Sequence, residues 1–223
     1  MKKKRLKTIC VIPAKNSSSR LKGKNLLKIK DLSLVEITIR LAKKSRLFSK
    51  IILSSDSDKI LNLAKKYNII SIKRLNKYTS TKFATTESVI DDLLNQLNVE
   101  FDNFIVMQVT SPLRKIDTLK KFYNYCIKKK IKKCLTVTEI HDNVCFKSKY
   151  FKLNQIARRS QDRKTYIQEN GLLYFCEKKS YLKTRTIYSK KKWNYFITDK
   201  YESIDINNLN DYKIAKKIFE NAI

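Results

Sequence analysis

Short apolar runs and striped amphipathic segments alternate along most of this chain. Thr8–Ala14 is a β-branched apolar run that predicts a first strand, followed by a polar loop from Lys15 to about Asn25. Ser33-Leu34-Val35-Glu36 has the form of a capping box, in which serine and glutamate satisfy each other's backbone N–H groups. The helix it opens places Leu34, Ile37 and Leu41 on one face. Lys50–Ser54 then predicts a strand, Ile60, Ala64 and Tyr67 a helix, and Ile69–Ile72 another strand. Val89, Ile90, Leu93, Leu94 and Leu97 stripe a third helix before the strand Phe104–Gln108. A fourth helix opens near Asp117 with Leu119, Phe122, Tyr123 and Cys126 inward, and Leu135–Glu139 forms a fifth strand.

This beat breaks between about His141 and Asp162. It resumes with Leu172–Cys176, a strand near Tyr195–Thr198 and a last helix through Tyr212, Ala215 and Phe219. Buried strands alternating with amphipathic helices predict an α/β fold of three layers, a mostly parallel sheet with helices on both faces. Ligands of such sheets bind beyond the carboxyl ends of the strands. With no repeat and no linker visible, residues 1–223 read as one domain carrying a small arm.

Composition narrows the class. The hydrophobic fraction of 42% suffices for a core, and no stretch approaches the roughly 20 apolar residues that span a bilayer, so no membrane partner is expected. Met1-Lys2-Lys3-Lys4-Arg5 imitates the start of a signal peptide, but Ile9–Ala14 is too short for its apolar region, which predicts a cytoplasmic protein. The five cysteines (Cys10, Cys126, Cys134, Cys145, Cys176) are scattered without a CxxC pair. They read as buried hydrophobes in a reducing compartment. A formal net charge of +30 suggests nucleic acid. The lysines, however, are spread through nearly every segment together with many Ile and Asn residues, so the charge reads as a solvated surface. It still concentrates anionic substrates.

The chain has only two glycines and two prolines: Pro13, Gly23, Pro112 and Gly171. All four lie in segments that carry candidate chemistry. The loop Ile12–Asn25 is rich in hydroxyls and cations that can cradle phosphate oxygens, yet it has neither a Walker A nor a Rossmann glycine spacing. Alone, it reads as a basic surface loop. Gln108–Arg114 closes a strand, Gln161-Asp162 and Glu169-Asn170-Gly171 precede a late one, and Ser203–Asn207 closes the final one. An aspartate there could hold Mg²⁺ over phosphates; its plainer reading is a helix N-cap. All these positions converge on one rim of the sheet. His141, the only histidine, reads as a surface hydrogen-bonding residue.

The series IPAK…GKN, SSDS, QVTSPLR, QD…ENG and SIDI, in this order from about Ile9 to the C-terminus, resembles the acylneuraminate cytidylyltransferase family, the CMP-sialic acid synthetases. Relatives of that family act on legionaminic and pseudaminic acids, with Kdo cytidylyltransferases more distant. The resemblance implies a nucleotide-diphospho-sugar transferase-like fold that transfers CMP from CTP to an acidic 2-keto sugar with Mg²⁺, as a homodimer joined through an arm at about residues 143–168. It implies that Ser18, Lys24, Asn25, Arg74 and Ser80 bind the nucleotide, and that Lys15, Arg20, Lys24 and Asp205 act in catalysis. Gln108, Lys147, Gln161 and Asn170 would hold the sugar, and Asp205 and Asn207 the metal. The chain departs from the family loop at Lys15, where an arginine is usual, and at Ser19, where a lysine is usual and Arg20 stands adjacent. Thr81 replaces an acidic residue, and Asn207 the second aspartate of a D-x-D pair. Two other readings remain: a CTP-binding relative that has lost turnover, and a basic nucleic-acid-binding protein.

Overall fold

The computed structural model describes residues 6–16, 20–74, 84–141, 159–189 and 192–221. Along β1 (Thr8–Pro13) successive side chains point to opposite faces of a sheet: Cys10 and Ile12 enter one apolar cluster, Ile9 and Val11 the other. Minor strands β2 (Lys28–Ile29) and β3 (Leu32–Ser33) form a separate hairpin that the apolar pattern did not announce. Then come β4 (Lys50–Ser55), β5 (Ile70–Lys73), β6 (Asn103–Met107), β7 (Lys133–Ile140), β8 (Tyr166–Glu177) and β9 (Tyr195–Ile197). The main sheet has seven strands in the order β5-β4-β1-β6-β8-β7-β9. Only β8 runs against its neighbours, antiparallel to both β6 and β7; the other pairings are parallel.

The α-helices are α1 (Leu34–Ser45), α2 (Asp58–Tyr67), α3 (Thr86–Gln96), α4 (Ile116–Lys128), α5 (Lys178–Thr184) and α6 (Leu209–Asn221). Leu34, Ala64, Phe122 and Ala215 bring α1, α2, α4 and α6 onto the face of Cys10 and Ile12. Leu93 of α3 and Tyr181 of α5 cover the opposite face. Helices therefore lie on both faces, as the alternation predicts. The capping box of α1 is complete: Glu36 N–H donates to Ser33 Oγ at 3.3 Å, and Ser33 N–H donates to Glu36 Oε2 at 3.0 Å.

The late strand expected at Leu172–Cys176 begins earlier, at Tyr166. Of the expected arm, residues 143–158 lie outside the described residues; its remainder holds a single 3₁₀ turn, Ser160–Asp162, and the start of β8. Cys10, Cys126, Cys134 and Cys176 are buried free thiols, and Cys145 falls outside the described residues. No helix among the described residues is long and apolar enough to cross a membrane.

Candidate active site

Because β1, β4, β5 and β6 are parallel, their carboxyl ends share one edge, and the polar loops leave from it. Gly23, at φ +63°, turns the loop after β1 into a single 3₁₀ turn, Lys24–Leu26, that buries Lys24 and Asn25. A Cβ at Gly23 would meet nothing within 4 Å, so the glycine answers to the left-handed backbone alone. Lys24 Nζ donates to the carbonyl of Ile206 at 2.7 Å, and the Ile206 N–H donates to the carbonyl of Thr110 at 2.9 Å. A lysine near the start of the chain thus holds the Asp205 segment against the loop that follows β6. Asn25 Nδ2 donates to the Lys15 carbonyl at 2.7 Å.

These contacts close a cleft of about 350 Å³ lined by Lys24, Gln108 and Asp205. Lys15, Arg20 and Arg74 complete its charged wall, so cations outnumber the single carboxylate. Burial lowers the pKa of Lys24; Asp205 opposes this, and Arg20 and Lys15 push it further down. Burial likewise lowers Arg74, with Asp56 and Asp92 opposing. Such crowding is relieved by a polyanion. The N-terminus of α3 adds to it. Thr85 and Thr86 line the same cleft, and Thr85 Oγ1 accepts the Ser88 N–H at 3.1 Å. Helix N-termini favour anions. The residue-level reading placed this helix but not its N-terminus at the cleft, and the hydroxyl cap in Thr85-Thr86-Glu87-Ser88 is the signal that could have found it.

A second lobe of about 800 Å³ opens beyond. Gly171, Tyr174, Asp205 and Asn207 border both lobes and form the waist between them. Asn207 Nδ2 donates to Asp205 Oδ2 at 2.6 Å. Ser203–Asn207 does not close the final strand, because β9 ends at Ile197; it is a loop held by Lys24 and Thr110 instead of by a ladder. Asp205 is also no helix cap. Asn208 Oδ1 takes that role, accepting the N–H groups of Asn210 and Asp211 at 2.8 and 3.0 Å.

The waist exists because β8 is interrupted. Leu135 faces Tyr174, yet Val137 faces Glu169, so residues 170–173 leave the ladder with β7 opposite Thr136, while Leu173 stays paired with Met107 of β6. Gly171 supplies the φ of +70° that this requires. The Asn170 amide replaces the lost ladder. Its Oδ1 accepts Thr136 Oγ1–H at 2.7 Å and Leu172 N–H at 3.1 Å, while Nδ2 donates to Thr198 Oγ1 at 2.8 Å and Ser203 Oγ at 3.0 Å. Arg114, 4% exposed, staples the bulge to the loop after β6 by donating to the carbonyls of Gln108 and Leu172 at 2.8 and 2.9 Å. Burial pulls its guanidinium down to about 10, still a cation at neutral pH. Arg114 closes the Gln108–Arg114 run, but its role rests on contacts distant in the chain.

The structure therefore brings together Lys15, Arg20, Lys24, Asn25 and Arg74 with Gln108, Asp205 and Asn207. Asn170 lines the second lobe with its amide engaged as described. Gln161 is exposed in the 3₁₀ turn and lines neither lobe. Ser18, Ser80 and Lys147 lie outside the described residues. His141 is exposed at the second lobe, its Nδ1 3.3 Å from Thr165 Oγ1. Among the described residues no group of three or more His, Cys, Asp or Glu side chains could hold a metal ion. The waist offers only oxygen donors, the Asp205 carboxylate and the Asn207 amide carbonyl. That set suits a hard cation whose other ligands are phosphates and water.

A model of the cytidylyltransferase family matches residues 9–222. The chain is 26% identical over 231 residues to the pseudaminic acid cytidylyltransferase of Campylobacter jejuni subsp. jejuni serotype O:2, covering 96% of this chain and 97% of that protein. It is 25% identical to the N-acylneuraminate cytidylyltransferase of Streptococcus agalactiae serotype III, covering 98% of this chain and 55% of that protein. A solved structure of CMP:2-keto-3-deoxy-manno-octonic acid synthetase complexed with CTP has a TM-score of 0.73 at 14% identity, with 97% of this chain and 100% of that one covered. At that identity the likeness speaks for the fold alone.

Proposed function

The chain belongs to the cytidylyltransferase family, and from that premise we propose that it transfers CMP from CTP to an acidic 2-keto sugar of the sialic, pseudaminic or legionaminic type, releasing pyrophosphate. The observation that carries this reading is the convergence of Lys24, Gln108 and Asp205, far apart in the chain, on one cationic cleft that opens into a second lobe. The first lobe takes the nucleotide. The second takes the sugar, and the two meet at Asp205.

The anomeric hydroxyl of the sugar attacks the α-phosphorus in line. A new P–O bond forms, the bond to the bridging oxygen breaks, and pyrophosphate leaves with that oxygen. Lys15, Arg20 and Lys24 neutralise charge growing on the phosphates, and the N-terminus of α3 adds fixed N–H dipoles. Because these groups are held by the fold before substrate arrives, the main contribution is positioning and electrostatics. Asp205 and the Asn207 carbonyl would hold Mg²⁺, which supplies charge neutralisation and lowers the pKa of a bound hydroxyl. No side chain in the described waist stands out as the base.

The reading extends to a cytoplasmic homodimer. Four free buried thiols support the compartment. Exposed apolar side chains on edge strand β9 and at the start of β8, Tyr195, Ile197, Tyr166 and Ile167, support self-association. The test is a panel of N-acetylneuraminic, legionaminic and pseudaminic acids with CTP and Mg²⁺, read by pyrophosphate release. At least one acid turns over with CTP; silence across the panel overturns the reading.

A further inference from the structure

The second lobe departs from the basic character of the chain. Its described lining carries Glu139, Glu169 and Asp205 with Lys200 as the one lysine or arginine. Glu139 is exposed, and Asp205 already accepts the Asn207 amide. Glu169 is half-buried and built in. Its Oε1 accepts the hydroxyls of Tyr174 at 2.5 Å and Tyr188 at 2.9 Å, and the two rings pack edge to face with centroids 6.4 Å apart.

The supports reach further out. Tyr188 lies against Trp193, and Lys133 Nζ donates to the carbonyls of Thr186 and Tyr188 at 2.6 and 3.1 Å. Burial, then the neighbouring Glu169, raises the hydroxyls of Tyr174 and Tyr188, the latter to about 12, so both remain donors at neutral pH.

In a chain with 50 lysines and arginines against 20 acidic residues, this carboxylate meets no cation among the described residues. Two neutral hydroxyls orient it without cancelling its charge. Both donors sit on Oε1, and no hydrogen bond among the described residues reaches Oε2. Glu169 lines the second lobe only, whereas Tyr174 borders both, which places this acceptor on the side away from the nucleotide.

We propose that Glu169 selects the acceptor sugar by accepting a hydrogen bond from a hydroxyl or acylamino N–H on the part remote from the reacting hydroxyl. This rests on the cytidylyl-transfer reading and adds the group that is read. A sugar of the same shape without that donor leaves a partly desolvated carboxylate oxygen unpaired, and hydrogen bonds to charged groups are worth about ten- to a hundredfold.

The experiment compares each acid that turns over with its mono-deoxy, mono-O-methyl and N-methyl-acylamino analogues, for the wild type, Glu169→Gln, Glu169→Ala and Tyr188→Phe, by pyrophosphate release. The wild type prefers the parent over one analogue by about ten- to a hundredfold. In Glu169→Ala this ratio falls towards one, and in Glu169→Gln it falls in the same direction, while KM for CTP stays close to the wild-type value. Tyr188→Phe keeps the charge and keeps part of the preference. An active wild type with equal rates on parent and all analogues overturns the proposal alone, as does a ratio unchanged in both Glu169 variants. A loss that falls on KM for CTP as much as on the sugar also overturns it. No pyrophosphate from any acid overturns both this proposal and the reading beneath it.

Discussion

The two lobes of the cleft are built by opposite means. The lobe proposed for the nucleotide stands on the ends of parallel strands and gathers Lys15, Arg20, Lys24 and Arg74 around one carboxylate. The lobe proposed for the sugar stands on an interrupted antiparallel strand, with Glu169, two tyrosine hydroxyls and an amide that substitutes for ladder bonds. One lobe is tuned for charge, the other for shape and hydrogen-bond direction. A triphosphate is recognised well by crowded cations whatever the details. Sugars of similar size and charge are told apart only by where donors and acceptors fall. Lys24 couples the lobes, since it belongs to the first and holds the segment carrying Asp205 at the waist.

The largest expected effect follows from that coupling. Lys24→Met should lower kcat/KM by about a thousandfold, the upper end of what removing one preorganised charge stabiliser costs. Pyrophosphate release measures it, alongside a melting curve to confirm folding. A loss below tenfold would break the contrast, because the charged lobe would not depend on a buried cation that also holds the Asp205 segment.

Asn170→Ala tests the other lobe. It removes the amide that closes the β8 bulge and leaves the Leu172 N–H without its partner. We expect a stability loss of about 3 kcal/mol, roughly 6–12 °C in Tm by calorimetry, with KM rising for the sugar more than for CTP. Equal rises in both would show that the lobes are one mechanical unit.

The pH dependence sharpens the first lobe. Burial places the pKa of Lys24 below the ordinary lysine value in the free protein, and its charge disappears as pH rises through that pKa. The alkaline fall in kcat/KM for CTP should therefore begin below the pH at which an ordinary lysine titrates. Bound triphosphate restores the charge, so the fall in kcat should lie at higher pH. Lys24→Arg should remove the limb from the accessible range. Coincident limbs in the two profiles would count against Lys24 as the group concerned.

The smallest effect concerns the waist. Asn207→Asp puts a second carboxylate beside Asp205 and should lower the Mg²⁺ concentration for half-maximal rate by up to about thirtyfold, the ~2 kcal/mol between one negative charge and a divalent cation at ~4 Å in water-like surroundings, less the repulsion from Asp205. No change would mean that the asparagine carbonyl already suffices.

What the amino-acid sequence determined alone was the order and kind of most elements and the rim on which the candidate residues meet. Period-two apolar runs and 3.6-residue stripes report local burial, so Ile9–Ile12 and the face of Leu119, Phe122 and Cys126 are legible without any partner. The scarce glycines were legible for another local reason, their backbone freedom: both adopt left-handed backbone beside the cleft. Tertiary structure alone decided the rest. Nothing local says that β8 runs antiparallel, that residues 170–173 bulge, that Arg114 grips Leu172, or that Tyr188 and Tyr174 meet on one oxygen of Glu169. Each depends on groups far apart in the chain, whose meeting is set by how the whole sheet packs.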